Sequence, residues 1–243
     1  MGDSWLNLLT RKLAAYVSLD IQDREFLDDV VRPSRAVASN IDIIKEGDEP
    51  SDVRLVLKGF ACRNKVTPDG ERQIMAYLVP GDFCDVHVAI LRQMDHSITT
   101  LSDCTVVEIP FKTIEAMTAR PNLARALWWA TLVDEATLRE WLVNLGTRDA
   151  RQKVAHLFCE LLIRLRVVGL ADNDGYKLPI TQQDLADTVG LSNVHVNRTL
   201  QSLRADGFIE FESKTLVIKN FKALVELSNF NPNYLHLVKR TAA

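Results

Sequence analysis

Residues 180–201 read Ile180-Thr181-Gln182-Gln183-Asp184-Leu185-Ala186-Asp187-Thr188-Val189-Gly190-Leu191-Ser192-Asn193-Val194-His195-Val196-Asn197-Arg198-Thr199-Leu200-Gln201. Two short helices joined by a tight turn are written into this stretch. Thr181 is an N-cap candidate, with Asp184 three residues on in place of the Glu of a capping box. Leu185, Ala186 and Val189 then share the inward face, and Ala186 is small enough for a close helix crossing. Gly190 stands where a left-handed turn residue is wanted. Ser192 caps the next helix, which is expected to run to about Asp206 with Val196, Leu200 and Leu203 inward. Phe208-Ile209-Glu210-Phe211 and Thr215-Leu216-Val217-Ile218 follow as two strands around Glu212-Ser213-Lys214. The pattern is a helix-turn-helix with a wing.

Such a second helix enters the major groove of duplex DNA. Val194, Asn197, Arg198 and Gln201 lie at i, i+3, i+4 and i+7, opposite the inward set. Arg198 is the candidate for a bidentate pair with guanine O6/N7, worth ~1–3 kcal/mol of discrimination. Val194 suits a thymine methyl, and Asn197 or Gln201 an adenine edge or a phosphate. Asn193 sits at the exposed helix start. Ser192 and His195 are expected at phosphates rather than at bases. Thr181 and Gln182 complete the expected DNA-binding set.

The rest of the chain must present this reading head. The 243 residues are 47% hydrophobic and 25% charged, an ordinary globular composition. Net charge is −3 overall, but −6 over residues 1–145 and +3 over residues 146–243, which fits a basic nucleic-acid half joined to an acidic one. No apolar run approaches the ~18 residues of a membrane span. The start, Met1-Gly2-Asp3-Ser4-Trp5-Leu6, has neither a secretory nor a myristoylation pattern, so a cytoplasmic location is expected.

Residues 5–31 carry helical spacing, with Leu6, Leu9 and Leu13, then Phe26, Leu27 and Val30 after a break near Ser18. Between Arg35 and Pro110 the texture becomes β-rich. Gly47, Gly59, Gly70 and Gly81 stand 12, 11 and 11 residues apart. Between them lie Val53–Leu57 and Gln73–Val79, with Thr105–Ile109 beyond, and Pro68-Asp69-Gly70 and Pro80-Gly81-Asp82 mark turns. Strands at this spacing predict a small jelly roll. A short helix, Phe111–Ala119, is expected to end near Pro121.

A long helix follows from about Asn122 to Leu145, with Gly146 as its C-cap. Leu127, Thr131, Asp134, Leu138, Trp141 and Leu145 are spaced 4, 3, 4, 3, 4, a heptad seam for pairing with a second copy. Trp129, Leu132, Ala136 and Val143 form a second apolar stripe, for packing within the chain. The hinge falls at Gly146–Asp149, and Val154, Leu157, Phe158, Leu161, Leu162 and Leu165 mark another amphipathic helix. Residues 171–175 are expected to be a loop. The fold class is α+β, with residues 1–121 a β jelly-roll sensor, 122–145 a dimerisation helix and 146–243 a winged helix-turn-helix.

This order of parts resembles the cyclic-AMP receptor protein and fumarate–nitrate regulator (Crp/Fnr) family over nearly the whole chain. The matching motifs are Lys58-Gly59, Pro80-Gly81-Asp82-Phe83, and Ile180 to Ala186 with Val189-Gly190-Leu191-Ser192 through Arg198. The resemblance implies a homodimer on a near-palindromic operator, responding to a signal, with RNA polymerase as a further partner. It places an effector pocket at Gly81, Asp82, Phe83, Cys84, Asp85, Val86 and His87 together with His96 and Ser97. Cyclic-nucleotide binders of the family carry Gly-Glu after the Gly-Asp-Phe segment and Arg-Ser about ten residues later. Here those places hold Asp85-Val86 and His96-Ser97. Valine accepts no hydrogen bond from a ribose hydroxyl, and histidine lacks the arginine fork for a cyclic phosphate. Many members also carry Glu at the place of Val194, so a different half-site is expected.

No cofactor is evident and the effector is open. The oxygen-sensing branch needs an N-terminal cysteine cluster, whereas the first cysteine here is Cys62. Cys62, Cys84, Cys104 and Cys159 lie far apart and form no metal-binding spacing. A haem would need an axial ligand, for which His87 has no supporting pattern. His87 and His96 do not supply the H-x-H pair of a metal-binding cupin, and no nucleotide-binding or hydrolase motif occurs, so an enzyme is not expected. The alternative of another class is a ligand-binding regulatory subunit that acts on a protein partner through the sandwich.

Overall fold

The computed structural model describes residues 8–172 and 174–237. Leu6 of the first predicted helix and Asn173 of the predicted loop lie outside these residues. Two helices lead, α1 (Leu8–Ala14) and α2 (Ile21–Val31). Asp20 caps α2 by accepting the Asp23 N–H at 2.8 Å, and the Asp23 carboxylate accepts the Asp20 N–H in return. Then come β1 (Ser34–Val37), β2 (Asp42–Ile44), β3 (Asp52–Lys58), β4 (Ala61–Val66), β5 (Arg72–Leu78), the single turn α3 (Val88–Leu91), β6 (Ser97–Thr100) and β7 (Cys104–Pro110). They form two antiparallel sheets, ordered β1-β7-β3 and β2-β6-β4-β5. Alternation along the strands gives each sheet an apolar face, and Val53, Leu55, Ile98, Val107 and Ile109 meet in one core. Gly59 turns the chain between β3 and β4 at φ +85°. A Cβ there would lie 2.3 Å from the Asp103 carbonyl oxygen, so only glycine fits.

The second sheet is covered on both sides. Cys62, Ile74 and Tyr77 project from its far face into a core shared with Trp141, Val154, Phe158 and Leu162. The helices there are α5 (Pro121–Thr147) and α6 (Ala150–Val168), whereas α4 (Phe111–Thr118) sends Ile114 and Met117 into the sandwich core. Pro121 does not merely end the preceding helix; it opens α5 in the first turn, where its missing N–H has no partner to lose. Gly146 is not the cap of α5: the helix continues through it to Thr147, and Arg148 turns extended. An Asp149–Gln152 capping box then starts α6.

Part of the expected loop at 171–175 is paired. β8 (Ala171–Asp172) and β9 (Gly175–Lys177) form a hairpin that extends the wing sheet. Next come α7 (Gln182–Val189), α8 (Asn193–Ala205), β10 (Ile209–Glu212), β11 (Thr215–Ile218) and α9 (Phe221–Ser228), then a 3-10 turn at Pro232–Leu235. The sheet order is β10-β11-β9-β8.

The predicted seam of α5 needs correction. Leu127 and Trp141 are buried within their own chain. The Trp141 indole N–H donates to Glu160 Oε2 at 2.9 Å, and its ring meets Tyr77 edge-on at 5.7 Å. Asp134 pairs with Arg63 at 2.6 Å, and Leu145 is half-buried. Of the six, only Thr131 and Leu138 are exposed. Leu132 and Val143, assigned to internal packing, are exposed as well. The open apolar stripe runs through Trp128, Leu132, Leu138, Leu142 and Val143, with Trp128 77% and Leu142 71% exposed. It is rotated roughly a quarter turn from the predicted seam. A 3-4 spacing starting at Trp128 runs through Thr131, Glu135, Leu138, Leu142 and Leu145, so periodicity alone does not choose the phase.

Candidate nucleic-acid interface and sensor cavity

The reading head is built by local bonds. Thr181 Oγ1 accepts the Asp184 N–H at 3.0 Å, and Asp184 Oδ2 accepts the Thr181 N–H at 2.8 Å. Gly190 adopts φ +64° and closes α7, and Ser192 Oγ accepts the His195 N–H at the start of α8. Val196, Thr199, Leu200 and Leu203 are buried beneath α8. On its outer side Ser192, Asn193, Val194, His195, Arg198 and Gln201 are exposed and Asn197 is half-buried. Arg198 forms no ion pair among the described residues. Asn197 Nδ2 donates to Gln182 Oε1 at 3.2 Å, and Asn193 Nδ2 donates to Gln183 Oε1. Both helices of the motif therefore meet at the face that would approach DNA. Beside it an open groove of about 580 Å³ runs between the start of α6 and α8, with Arg151, Ser192, His195 and Arg198 on its walls. In the wing, Glu212 pairs with Thr215 across a two-residue turn, Ser213 and Lys214, both at positive φ.

The residues assigned to an effector pocket do not all line one cavity. Phe83 and Cys84 are core residues, and burial pushes the Cys84 thiol up to about 12. Val86 packs against the sandwich core, and Ser97 Oγ accepts the Glu46 N–H at 3.0 Å. Gly81 lies against α1, where a Cβ would stand 3.2 Å from the Leu8 carbonyl. Asp82 is buried and paired with Lys12 and, at 2.7 Å, with Arg164. Asp85 is buried between two imidazoles, His87 Nδ1 at 2.5 Å and His96 Nε2 at 3.4 Å. Its hydrogen bond to His87 raises that imidazole's pKa against the opposing effect of burial. The other ring nitrogen of His96 lies 2.7 Å from Asp95.

Of the expected set, His87 and His96 reach a cavity of about 300 Å³ between the second sheet and α5. Arg63, Tyr77, Asp134 and Arg164 also line it, and sequence reasoning missed all but Asp134, which it had placed in the seam. Arg63 donates to the Cys84 and Phe83 carbonyls at 2.9 and 3.3 Å and pairs with Asp134. Burial alone would raise the Asp134 carboxyl; the Arg63 guanidinium, with Lys12 and Arg164 behind it, outweighs burial and holds the pKa below the usual range. Both guanidinium groups at the cavity are thus already matched by carboxylates. Among the described residues no group of three or more His, Cys, Asp or Glu is placed to hold a metal ion.

A family model described as a cyclic nucleotide-binding domain matches residues 34–120, and one described as a Crp-like helix-turn-helix domain matches residues 152–227. The transcriptional activator protein FnrL of Cereibacter sphaeroides is 30% identical over 191 residues, spanning 76% of this chain and 75% of that protein. The chain belongs to the Crp/Fnr family of transcriptional regulators. The nitrogen fixation regulation protein FixK of Bradyrhizobium diazoefficiens is 31% identical over 169 residues, 69% of this chain and 70% of that one. The solved structure of FixK2 from Bradyrhizobium japonicum superposes with a TM-score of 0.71 at 26% identity, over 80% of this chain and 96% of the other. This Crp/Fnr regulator is therefore a DNA-binding regulator of transcription, with a β-sandwich sensor fold, a long helix and a helix-turn-helix in that order. Within the family's sensor fold its cavity departs in chemistry. Val86 offers no ribose acceptor, and the guanidinium groups it does have, Arg63 and Arg164, are spent on Asp134, Asp82 and Glu160.

Proposed function

We propose that this Crp/Fnr regulator acts as a homodimer that sets two α8 helices into successive major grooves of a near-palindromic operator. The observation that carries this reading is the outer face of α8: a capped helix on a wing-braced support, with Val194, Arg198 and Gln201 open to a base edge. Ser192, His195, Thr181 and Gln182 hold the phosphates that flank it. Dimerisation runs through the open stripe of α5, Trp128 to Val143, because soluble monomers rarely leave such a stripe uncovered. A small-molecule signal acts at the cavity beneath α5 by contacts other than those that hold a cyclic phosphate. The output we assign is activation through RNA polymerase in the cytoplasm; the activation, though not the partner or the place, has the support of relatives named as transcriptional activators.

Selection from random duplexes by the full-length protein tests the reading. The expected product is a two-fold-related pair of half-sites about one helical turn apart. Retention of DNA without any sequence preference refutes it.

A further inference from the structure

Strand β5 lies between the sensor cavity and the reading head. Three of its side chains grip one turn of α7. Arg72 bridges two carboxylates, with Nη2 2.6 Å from Asp184 Oδ1 and Nε 2.6 Å from Asp187 Oδ2. Gln73 Nε2 donates to the Thr188 carbonyl at 3.4 Å. The Tyr77 hydroxyl lies 2.5 Å from Thr188 Oγ1 and donates to the Asp184 carbonyl at 3.3 Å. The two carboxylates are largely buried, 8% and 11% exposed, so solvent screens the Arg72 bridge little.

The contact does not stop at α7. Asp187 Oδ1 accepts from Gln183 Nε2 at 2.5 Å, and Gln183 Oε1 accepts from Asn193, the first residue of α8. A guanidinium on the sensor sheet is thus joined through two side chains to the start of the recognition helix. Tyr77, on the same strand, lines the cavity.

We infer that Arg72 is a positioning residue for operator reading: it fixes the angle between the reading head and the sensor sheet, and with it the half-site spacing the dimer accepts. The inference rests on the two-headed reading proposed above. Two linked heads gain their joint affinity only when the geometry between them matches the two half-sites. The recognition face is open while the bridge is made, so the bridge orients the head rather than covering it.

The test is a selection over duplexes that carry the wild-type half-sites with spacers of varied length. Titrations of the isolated half-site accompany it. Wild-type protein is expected to prefer one spacing. Arg72→Ala should broaden the accepted spacings and weaken the best full site roughly tenfold while leaving half-site affinity unchanged. Asp187→Asn, which keeps size and leaves the capping box intact, should do the same in smaller measure, because the Asp184 half of the bridge remains. Thermal melting and sedimentation confirm that each variant folds and dimerises. An unchanged spacing profile in Arg72→Ala and Asp187→Asn overturns the inference. So does an equal loss on full and half-sites, which would place the effect in α8 itself. A rise in full-site affinity overturns it as well, since the bridge would then hold the head away from DNA. If wild-type protein shows no spacing preference, the two-headed reading itself fails.

Discussion

Replacing Leu142 by Glu separates the corrected dimer face from the predicted one. Leu142 is 71% exposed on α5, between Leu138 and Val143. Complete burial of a leucine side chain stabilises by ~1.5–3 kcal/mol, so covering the remaining seven-tenths contributes ~1.5 kcal/mol. A two-fold axis counts each residue twice, which brings the loss on removal to ~3 kcal/mol for the dimer. The two introduced carboxylates would face each other across the axis and add repulsion. Dimer dissociation should therefore strengthen by at least ~100-fold. The monomer should keep its melting behaviour, because Leu142 takes no part in the core shared by α5, α6 and the second sheet. Trp141→Phe is the opposite case. It removes the donor to the buried Glu160 carboxylate and destabilises the fold by ~1–3 kcal/mol while the dimer face stays intact. Sedimentation velocity over a concentration series reads the first effect and thermal unfolding the second. A dimer unaffected by Leu142→Glu but dissociated by Trp141→Phe would refute the assignment of faces.

Other outcomes follow from the same geometry. Arg198→Ala should cost ~1–3 kcal/mol per half-site and relax preference at one base pair, whereas Ser192→Ala should weaken all sequences about equally; uniform loss in the first with altered preference in the second would misplace α8 in the groove. Cyclic AMP should give no binding heat at micromolar concentrations, since Val86 and His96 stand where a ribose acceptor and a phosphate fork are needed; a micromolar isotherm would contradict this. His156 is fully buried, and burial together with the nearby Arg148 lowers its pKa from 6.5 to about 3. Glu140 offers little relief, because its carboxylate is engaged by Arg148 at 2.7 Å. The unfolded chain binds this proton more tightly, so His156 stabilises the fold fully above pH ~6.5 and loses that contribution as pH falls toward 3, by ~2 kcal/mol at pH 5. Denaturant titrations at pH 8 and pH 5 should show a smaller difference for His156→Phe; an equal difference would mean the imidazole is not the group responsible.

The reading head was legible because its determinants are local. Thr181 with Asp184, Gly190, and Ser192 with the His195 N–H act within four residues, and each is where the sequence predicts it. The long helix was legible in extent but not in phase. What turns Trp141 inward is Tyr77 and Glu160, distant in sequence and invisible to a heptad count. The jelly roll was legible through its glycines and three apolar strands, while β4 escaped because the consecutive polar residues Arg63, Asn64 and Lys65 break the apolar run of a strand. Asn64 is nonetheless buried, its amide donating to Thr99 Oγ1 at 2.8 Å. Arg63 was missed for the same reason: its role depends on the carbonyls of Phe83 and Cys84 and on Asp134, brought together only by the fold. The segment from Gly81 to Val86 follows the family motif, but its side chains mostly serve the core and α1.

The core that Ile74 and Tyr77 share with Trp141, Phe158 and Leu162 bears on how such a regulator diversifies. A sensor grafted onto a foreign reading head would bring an apolar sheet face cut for different helices. The graft point that preserves solubility is therefore not the loop at Asp149 but a surface patch several elements deep. Rewiring of signal and target in this lineage should proceed by point changes at the cavity and on α8, with the junction between them inherited as one piece.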